Sequence, residues 1–493
     1  MKIVLGGPGC GKTTALIQEV MDLLKAGVHP TEIGFVSFTR KAAEEATSRA
    51  QSELNLSEDD MPFFRTLHSL AFKIGGFAPD QLMTPDHWDE YADWMKIKIY
   101  GTDAATGMVH TEERGLQAHA LARLMCRPLD DMCKELRVET TRAEYYARHL
   151  QKFKDSKEVY DYTDLLERFV ESAHTPRLNT LIVDEAQDLS ALQWRMVEKL
   201  AESTGELIVA GDDDQAIYEW AGGDTKHFLA LQGERVVLPR SYRMARKIHE
   251  LVRAITGYIP NRFEKDFTYN REGGEVSRVG NMHELDFDTN SWLIMCRNRY
   301  QLTGPKEYLR ENGYPYIYGS QSSIDNDHCR ALLGWEALRK GRTVSADIAW
   351  VVAQNVSRHL TQRDGRLVRF DPTRDYNLED MNDALGILNQ PNWMEAIVMP
   401  ESEQRYYRAI KRRGESLLKT PRITLSTIHA QKGGEADHVA LFTDMSAKSY
   451  EQYARNPEQE ARVFYVGASR AREKLFIFDP TTHANFKIPE AAL

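Results

Sequence analysis

A chain of 493 residues is longer than one hydrophobic core organises and implies roughly two to four domains. Its 42% hydrophobic and 28% charged residues are ordinary for a globular protein in water, and no apolar run reaches the length that crosses a bilayer, which excludes a membrane-embedded role. The net charge of −10 counts against a grip on nucleic acid by bulk electrostatics, but not against a narrow groove with a few basic contacts and aromatic stacking.

The first element is a short apolar run, Ile3 to Leu5, that reads as a buried strand and breaks at Gly6, Gly7, Pro8 and Gly9 before a helical pattern starts at Thr13. Gly6, Gly11, Lys12 and Thr13 meet the frame G-x-x-x-x-G-K-[ST]. Loop glycines turn successive N–H groups inward around a triphosphate, Lys12 adds a point charge at the outer phosphates, and the Thr13 hydroxyl suits Mg²⁺. Cys10 and Thr14 complete the cradle. Because the chain opens on this loop, no signal peptide is expected. Leu16, Ile17, Val20, Leu23 and Leu24 continue at helical spacing to Gly27. A second strand, Ile33 to Phe38, leads into a charged helix from Lys41 to Leu54, and a third, Phe63 to Thr66, leads into His68. Strands alternating with helices predict a doubly wound parallel sheet, whose ligands sit at the C-terminal strand ends.

From about Lys73 to Lys157 the pattern is helix after helix with no strand, an inserted helical subdomain with Trp88, Tyr91 and Trp94 in its core. The sheet resumes at Leu181 to Val183, which ends in Asp184-Glu185-Ala186-Gln187. A carboxylate there lies beside a phosphate loop, so Asp184 suits the metal and Glu185 the attacking water. Leu207 to Ala210 ends in Gly211-Asp212-Asp213-Asp214-Gln215, and Gln215 suits the γ-phosphate. A second organised region starts near Ser241-Tyr242-Arg243, with strands at Trp292 to Cys296 and Tyr314 to Tyr318 and a helix at Pro305 to Asn312. A mixed, mostly helical stretch from about Asp325 to Lys419 interrupts it, and strands resume at Ile423 to Ser426, Val439 to Thr443 and Leu475 to Phe478. Arg405-Tyr406-Tyr407-Arg408 with Lys411, Arg412 and Arg413 is basic and aromatic, and reads either as a solvated helix face or as a contact to duplex. The five cysteines (Cys10, Cys126, Cys133, Cys296, Cys329) show no metal-ligand spacing, which points to a reduced cytoplasmic protein.

Taken in order, GGPGCGKTT, SFTRKAAEEATSR, FRTLHSLAF, DYTDLL, LIVDEAQDLSALQW, IVAGDDDQAIYEWAG, LPRSYRM, LSTIHAQKGGEADHVALF and ARVFYVGASRAREKL resemble the UvrD/Rep/PcrA-type helicases of superfamily 1. The resemblance implies an α/β fold of two RecA-like motor domains, each split by a mainly helical insert. The first comprises 1–72 and 158–240 with insert 73–157, and the second 241–324 and 420–493 with a shortened insert 325–419. It implies an ATP- and Mg²⁺-dependent motor, monomeric on DNA, that binds single strands and single/double-strand junctions and moves 3′ to 5′, in replication or repair. It places Tyr242 on the adenine, Glu435 near the ribose, and Arg243 and Arg470 as cations supplied by the second domain. Phe38, Arg40, Thr66, His68, Tyr218, Trp220 and His429 line the strand path.

The chain also departs from the family pattern. The family's adenine-reading glutamine upstream of the loop has no counterpart ahead of the first strand, so relaxed base choice is expected. Ala221 and Gly222 stand where an arginine usually follows the tryptophan, Gly434 and Ala436 flank Glu435, and Ser322 and Ser323 replace two aromatics. Two other readings stay open: a single-strand translocase that strips proteins from DNA with little unwinding, and a P-loop kinase for a small molecule.

Overall fold

The computed structural model describes residues 1–38, 43–44, 47–49, 51–52, 56–171 and 174–490. Thr39, Arg40 and half of the helix expected from Lys41 to Leu54 therefore lie outside the described residues. The chain forms two compact units, Met1–Gly273 with Tyr453–Ser469, and residues from Gly274 to Gln452 and from Arg470 onward.

In the first unit the strands are β1 (Lys2–Leu5), β2 (Ile33–Ser37), β3 (Phe64–Thr66), the hairpin β4 (Ile99–Thr102) and β5 (Val109–Thr111), then β6 (Leu178–Asp184), β7 (Thr204–Gly211) and β8 (Glu234–Val237). Among the described residues, six of them form a sheet in the order β3-β2-β6-β7-β1-β8, with every pair parallel. Both faces are covered, which is why its strands read as continuous apolar runs. Ile3 and Leu5 pack with Val183, Val209 and Trp194 on one side, while Val4 packs with Leu16, Ile17 and Val20 of the Lys12–Lys25 helix on the other. That helix stops where Val28 N–H reaches back to the Leu23 carbonyl and Gly27 takes φ 88°, a glycine C-cap.

The first insert is mainly helical, with Trp88 and Tyr91 buried together with Leu150 and Phe153. The hairpin β4–β5 corrects the expectation that it holds no strand. Its strands are short, half-buried and shifted in register near Gly101, so no period-two pattern marks them. The insert is tied to the sheet domain by ions. Arg123 donates to Asp161 (2.9 Å), Asp164 (2.7 Å) and both oxygens of Glu167 (3.0 and 2.7 Å), and Lys154 reaches Asp161 (2.9 Å) and Asp164 (2.7 Å). The two aspartates of the sequence DYTDLL thus anchor helices.

The second unit contains β9 (Glu275–Val279), β10 (Trp292–Cys296), β11 (Tyr316–Tyr318), β12 (Gln321–Ser322), the short antiparallel pair β13 (Val344–Ser345) and β14 (Asp375–Tyr376), β15 (Ile423–Thr427), β16 (Ala436–Phe442) and β17 (Ala471–Phe478). Its larger sheet runs β12-β11-β15-β10-β16-β17-β9, parallel except where β12 turns back on β11. Trp335, Met381, Trp393, Tyr406 and Tyr407 from the second insert join Trp292, Ile294 and Leu425 of this sheet in one apolar core. The architecture is α/β with two parallel sheets, consistent with two RecA-like domains. Among the described residues no helix is long and apolar enough to cross a membrane.

Arg123→Ala leaves Asp161 and Asp164 buried with Lys154 as their cation partner among the described residues, a loss of about 3–5 kcal/mol for a broken buried network. Urea unfolding of the variant is expected to show a clearly lower midpoint, and an unchanged midpoint would show that the network does not hold the insert.

Candidate nucleotide-binding site

The loop after β1 is shaped by two glycines in left-handed backbone, Gly9 (φ 72°) and Gly11 (φ 77°). A Cβ on Gly7 would lie 2.2 Å from the Phe267 ring, and one on Gly9 would lie 2.5 Å from Arg243 Cβ, so neither position has room for a side chain. Lys12 is buried with its ammonium on the Gly6 carbonyl at 2.9 Å, in the mouth of the cradle. Thr14 is exposed on the first helical turn. Cys10 is buried and its thiol is pushed up to about 11 by that burial, so it fills space and is not a reactive thiolate.

Sheet order brings the carboxylates to this loop. With β7 between β6 and β1, Val183 registers with Val209 and Leu5 with Gly211, so three strands end on one edge. Thr13 Oγ1 donates to Asp184 Oδ2 at 2.7 Å. Asp184 is fully buried, and burial together with the adjacent Glu185 charge raises its pKa to about 6. Glu185 takes φ 54°, a conformation that costs a non-glycine residue about 1–3 kcal/mol and turns the chain sharply after the strand. Its Oε2 accepts from Gln187 Nε2 at 2.6 Å, while Gln187 Oε1 accepts the Asp212 N–H at 3.0 Å. Gln215 Nε2 donates to Asp212 Oδ2 at 2.7 Å. Burial pushes the Asp212 carboxyl up, but the Lys265 and Lys12 charges outweigh it and hold the group below its ordinary range. A hydroxyl and a carboxylate side by side at the end of a phosphate loop are oxygen ligands of the kind a hard divalent cation takes, so the residues fit Mg²⁺.

The segment after β8 closes the loop from outside. Ser241 Oγ donates to the Pro8 carbonyl at 2.8 Å and Tyr242 N–H to the Gly9 carbonyl at 2.8 Å. The Tyr242 ring is 66% exposed and lies over Gly11, 3.9 Å from where a Cβ would stand, with the Arg240 guanidinium 5.7 Å from the ring centroid. These bonds place Arg243 in the first unit, correcting the expectation that the second domain supplies it; Arg243 Nη1 donates to the Ser469 carbonyl at 3.3 Å. Arg470 belongs to the second unit, buried, with Nη1 on the Gly434 carbonyl at 3.3 Å. Glu435 in that unit is bound by Arg472, whose Nε lies 3.1 Å from its Oε1.

The expected strand-path residues divide. Phe38 is 3% exposed and packs 5.0 Å from the Tyr218 ring in the core, so no base can stack on it. His68 is 4% exposed, and burial lowers its pKa to about 4, so at neutral pH it is no cation for a phosphate. Its Nε2 has no hydrogen-bond partner among the described residues. Both expectations are corrected: the apolar and aromatic residues flanking these strand ends are enclosed by the first unit's own packing. Thr66 Oγ1 caps the Leu67–Ile74 helix through the Ser69 N–H at 3.3 Å. Tyr218 is half-buried, and Trp220 is 38% exposed with its ring 5.7 Å from that of His110. His429 is half-buried, with its pKa lowered by loss of water and by the Arg297 and Lys432 charges. Arg40 lies outside the described residues. Leu124 stands 3.1 Å from a Cβ on Gly222, so the positions after Trp220 face the insert and not an open groove. Tyr406 and Tyr407 are core residues, while Arg408, Lys411, Arg412 and Arg413 of that basic helix face water. Sequence reasoning missed Ser241, Gln187 and Lys265. The first two lie inside motifs, where their types alone signalled a role; Lys265 lies outside every motif.

Because folding raises the Asp184 pKa above its ordinary value of 3.8, the protonated group's contribution is full below pH 4 and lost as pH rises through about 6. Asp184→Asn is therefore expected to raise the unfolding midpoint at pH 8 in chelator, by about 1–3 kcal/mol, with no gain at pH 4. A midpoint lower than wild type at pH 8 would contradict the charge conflict at this site.

The UvrD/REP helicase N-terminal domain family matches residues 2–235, and the UvrD-like helicase C-terminal domain family matches residues 407–479. ATP-dependent DNA helicase Rep of Buchnera aphidicola subsp. Baizongia pistaciae is 21% identical over 354 residues, 64% of this chain and 52% of that protein. DNA helicase II of Escherichia coli is 25% identical over 398 residues (71% and 54%), and ATP-dependent DNA helicase PcrA of Bacillus subtilis is 24% identical over 403 residues (72% and 53%). The chain spans about half the length of these relatives. Two domain families in the order of the two sheets, over a phosphate loop with its carboxylates in place, lead to one assignment: the chain belongs to the UvrD/Rep family of helicases.

Proposed function

We propose that this protein is an ATP-driven motor on single-stranded DNA that unwinds duplex while moving 3′ to 5′, acting as a cytoplasmic monomer at single/double-strand junctions. The observation that carries the reading is the pairing of Thr13 with Asp184 at 2.7 Å beside the Lys12 cradle. Its relatives are named ATP-dependent DNA helicases, which supports DNA as the substrate, and the direction rests on the family resemblance of the motifs. The loop N–H groups and Lys12 hold the β and γ phosphates, Tyr242 stacks on the base, and Glu435 reaches the ribose. A Mg²⁺ ion held by Thr13 and Asp184 would neutralise phosphate charge. Glu185 orients the attacking water and takes its proton, Gln215 meets the γ-phosphate, and Arg243 and Arg470 balance the charge that develops in the transition state. Hydrolysis and product release change the protein's grip on the strand, with Trp220 as an exposed stacking face.

A second reading, a translocase that displaces proteins with little unwinding, is favoured by the short second insert, whose Trp335, Met381 and Trp393 are taken up in the core of the second sheet. Substrates with a 3′ or a 5′ tail separate the two: strand separation from the 3′ tail supports the helicase, and translocation without it supports the second reading. Wild-type ATPase is expected to rise with added single-stranded DNA, and Lys12→Ala to lose about 10²-fold or more in kcat while keeping DNA affinity. A rate indifferent to DNA would remove the motor. Trp220→Ala is expected to weaken strand binding by about 1–3 kcal/mol in a fluorescence anisotropy titration, and unchanged affinity would take Trp220 out of the path.

A further inference from the structure

The loop Asp212-Asp213-Asp214-Gln215 is held from behind by a cluster whose members, Lys265, Arg262 and Arg462, carry none of the nucleotide-site roles given above. All three aspartates are fully buried, and the Lys265 ammonium, with its side chain also fully enclosed, touches each of them: Asp212 Oδ1 at 3.1 Å, Asp213 Oδ1 at 2.5 Å and Asp214 Oδ2 at 3.0 Å. Arg262 forks onto Asp214 at 2.7 and 2.5 Å, and the Phe263 N–H binds Asp213 Oδ2 at 2.9 Å. On the same loop, Arg462 of the Pro457–Ala468 helix donates to the Asp213 carbonyl at 2.8 Å. The two oxygens of Asp212 face opposite duties: one takes Lys265 and the other takes Gln215 Nε2 at 2.7 Å. The Asp212 N–H, in turn, is bound by Gln187, which also holds Glu185.

We propose that Lys265 is a positioning residue for hydrolysis, fixing the Asp212 carboxylate so that Gln215 points its amide at the γ-phosphate end of the site. The role rests on the nucleotide reading given above. Without a cation at that point Asp212 either takes a proton or rotates toward another donor, and both outcomes release the Gln215 amide. Asp212 acts on Lys12 through its charge alone, while the Lys12 ammonium is held by the Gly6 carbonyl, so the loss falls mainly on kcat with little change in KM. The same packing links the sensor loop to the helix that ends beside Ser469, through Arg462.

The test is Lys265→Met, together with the charge-balanced Lys265→Met/Asp213→Asn, which removes one charge of each sign from the cluster. Wild-type hydrolysis and its loss in Lys12→Ala are measured first; if either is missing, the nucleotide reading fails. Rates are then referred to molecules that bind a fluorescent ATP analogue, which corrects for any misfolded fraction. Both variants are expected to lose about tenfold or more in kcat with KM for ATP changed less than about threefold. In a Gln215→Ala background, adding Lys265→Met is expected to change kcat less than about twofold, because the two residues act as one unit. A purely structural lysine would lower kcat by the same factor in both backgrounds. That additivity, or a wild-type kcat per binding-competent molecule, would overturn the assignment while leaving the nucleotide site standing.

Discussion

A parallel sheet ends all its strands on one edge, and in this protein the order β6-β7-β1 decides what meets there. β1 delivers the phosphate loop, β6 delivers Asp184 and Glu185, and β7 delivers Asp212 to Gln215. Main-chain ladders fix the three ends in register, so the side chains need little adjustment: Thr13 reaches Asp184 and Gln187 spans from Glu185 to the Asp212 amide. Insert one more strand between β6 and β1 and these contacts open by roughly 5 Å, the spacing of neighbouring strands. Every other feature of the site depends on that order.

The charges gathered at this edge are in conflict with folding. Asp184 is buried beside another carboxylate, and Glu185 sits in left-handed backbone. Both are costs that a sequence selected for stability alone would avoid. The first unit offsets them locally with a large apolar sheet covered on both faces, and with ion networks that place arginine and lysine on its buried aspartates. The Arg123–Lys154 network and the Lys265–Arg262 network have the same plan, cations from helices or loops placed on aspartates that end or begin another element.

The strand path is where packing overrode residue type. Aromatic and histidine side chains are what a base-stacking groove needs, and Phe38, His68 and Tyr218 are of the right kind, yet the first two are enclosed by the first unit's own packing. The same side chains serve equally well as core. Tyr406 and Tyr407 repeat the lesson in the second unit, where a helix that looks basic and aromatic in sequence turns its rings inward and its arginines outward. Trp220 remains exposed, and its ring stands next to His110 of the first insert, so the insert frames one side of that surface.

The order of motifs along the chain determined the family, the two parallel sheets and the phosphate-loop chemistry, because each depends on local signals: apolar runs for strands buried on both faces, glycines for a tight loop, carboxylates placed at strand ends. The edge strands β8 and β9 left no such signal, since they are short, mostly unburied and carry charged residues (Glu234 and Arg235, Glu275 and Arg278) that break an apolar run. Tertiary structure alone decided that Ser241 and Tyr242 bind the phosphate loop and keep Arg243 in the first unit, that Phe38 and His68 are interior, and that Lys265 stands behind Gln215. Those facts rest on contacts between segments tens to hundreds of residues apart, and burial and pairing at such distances are properties of the packed chain that no window of sequence contains.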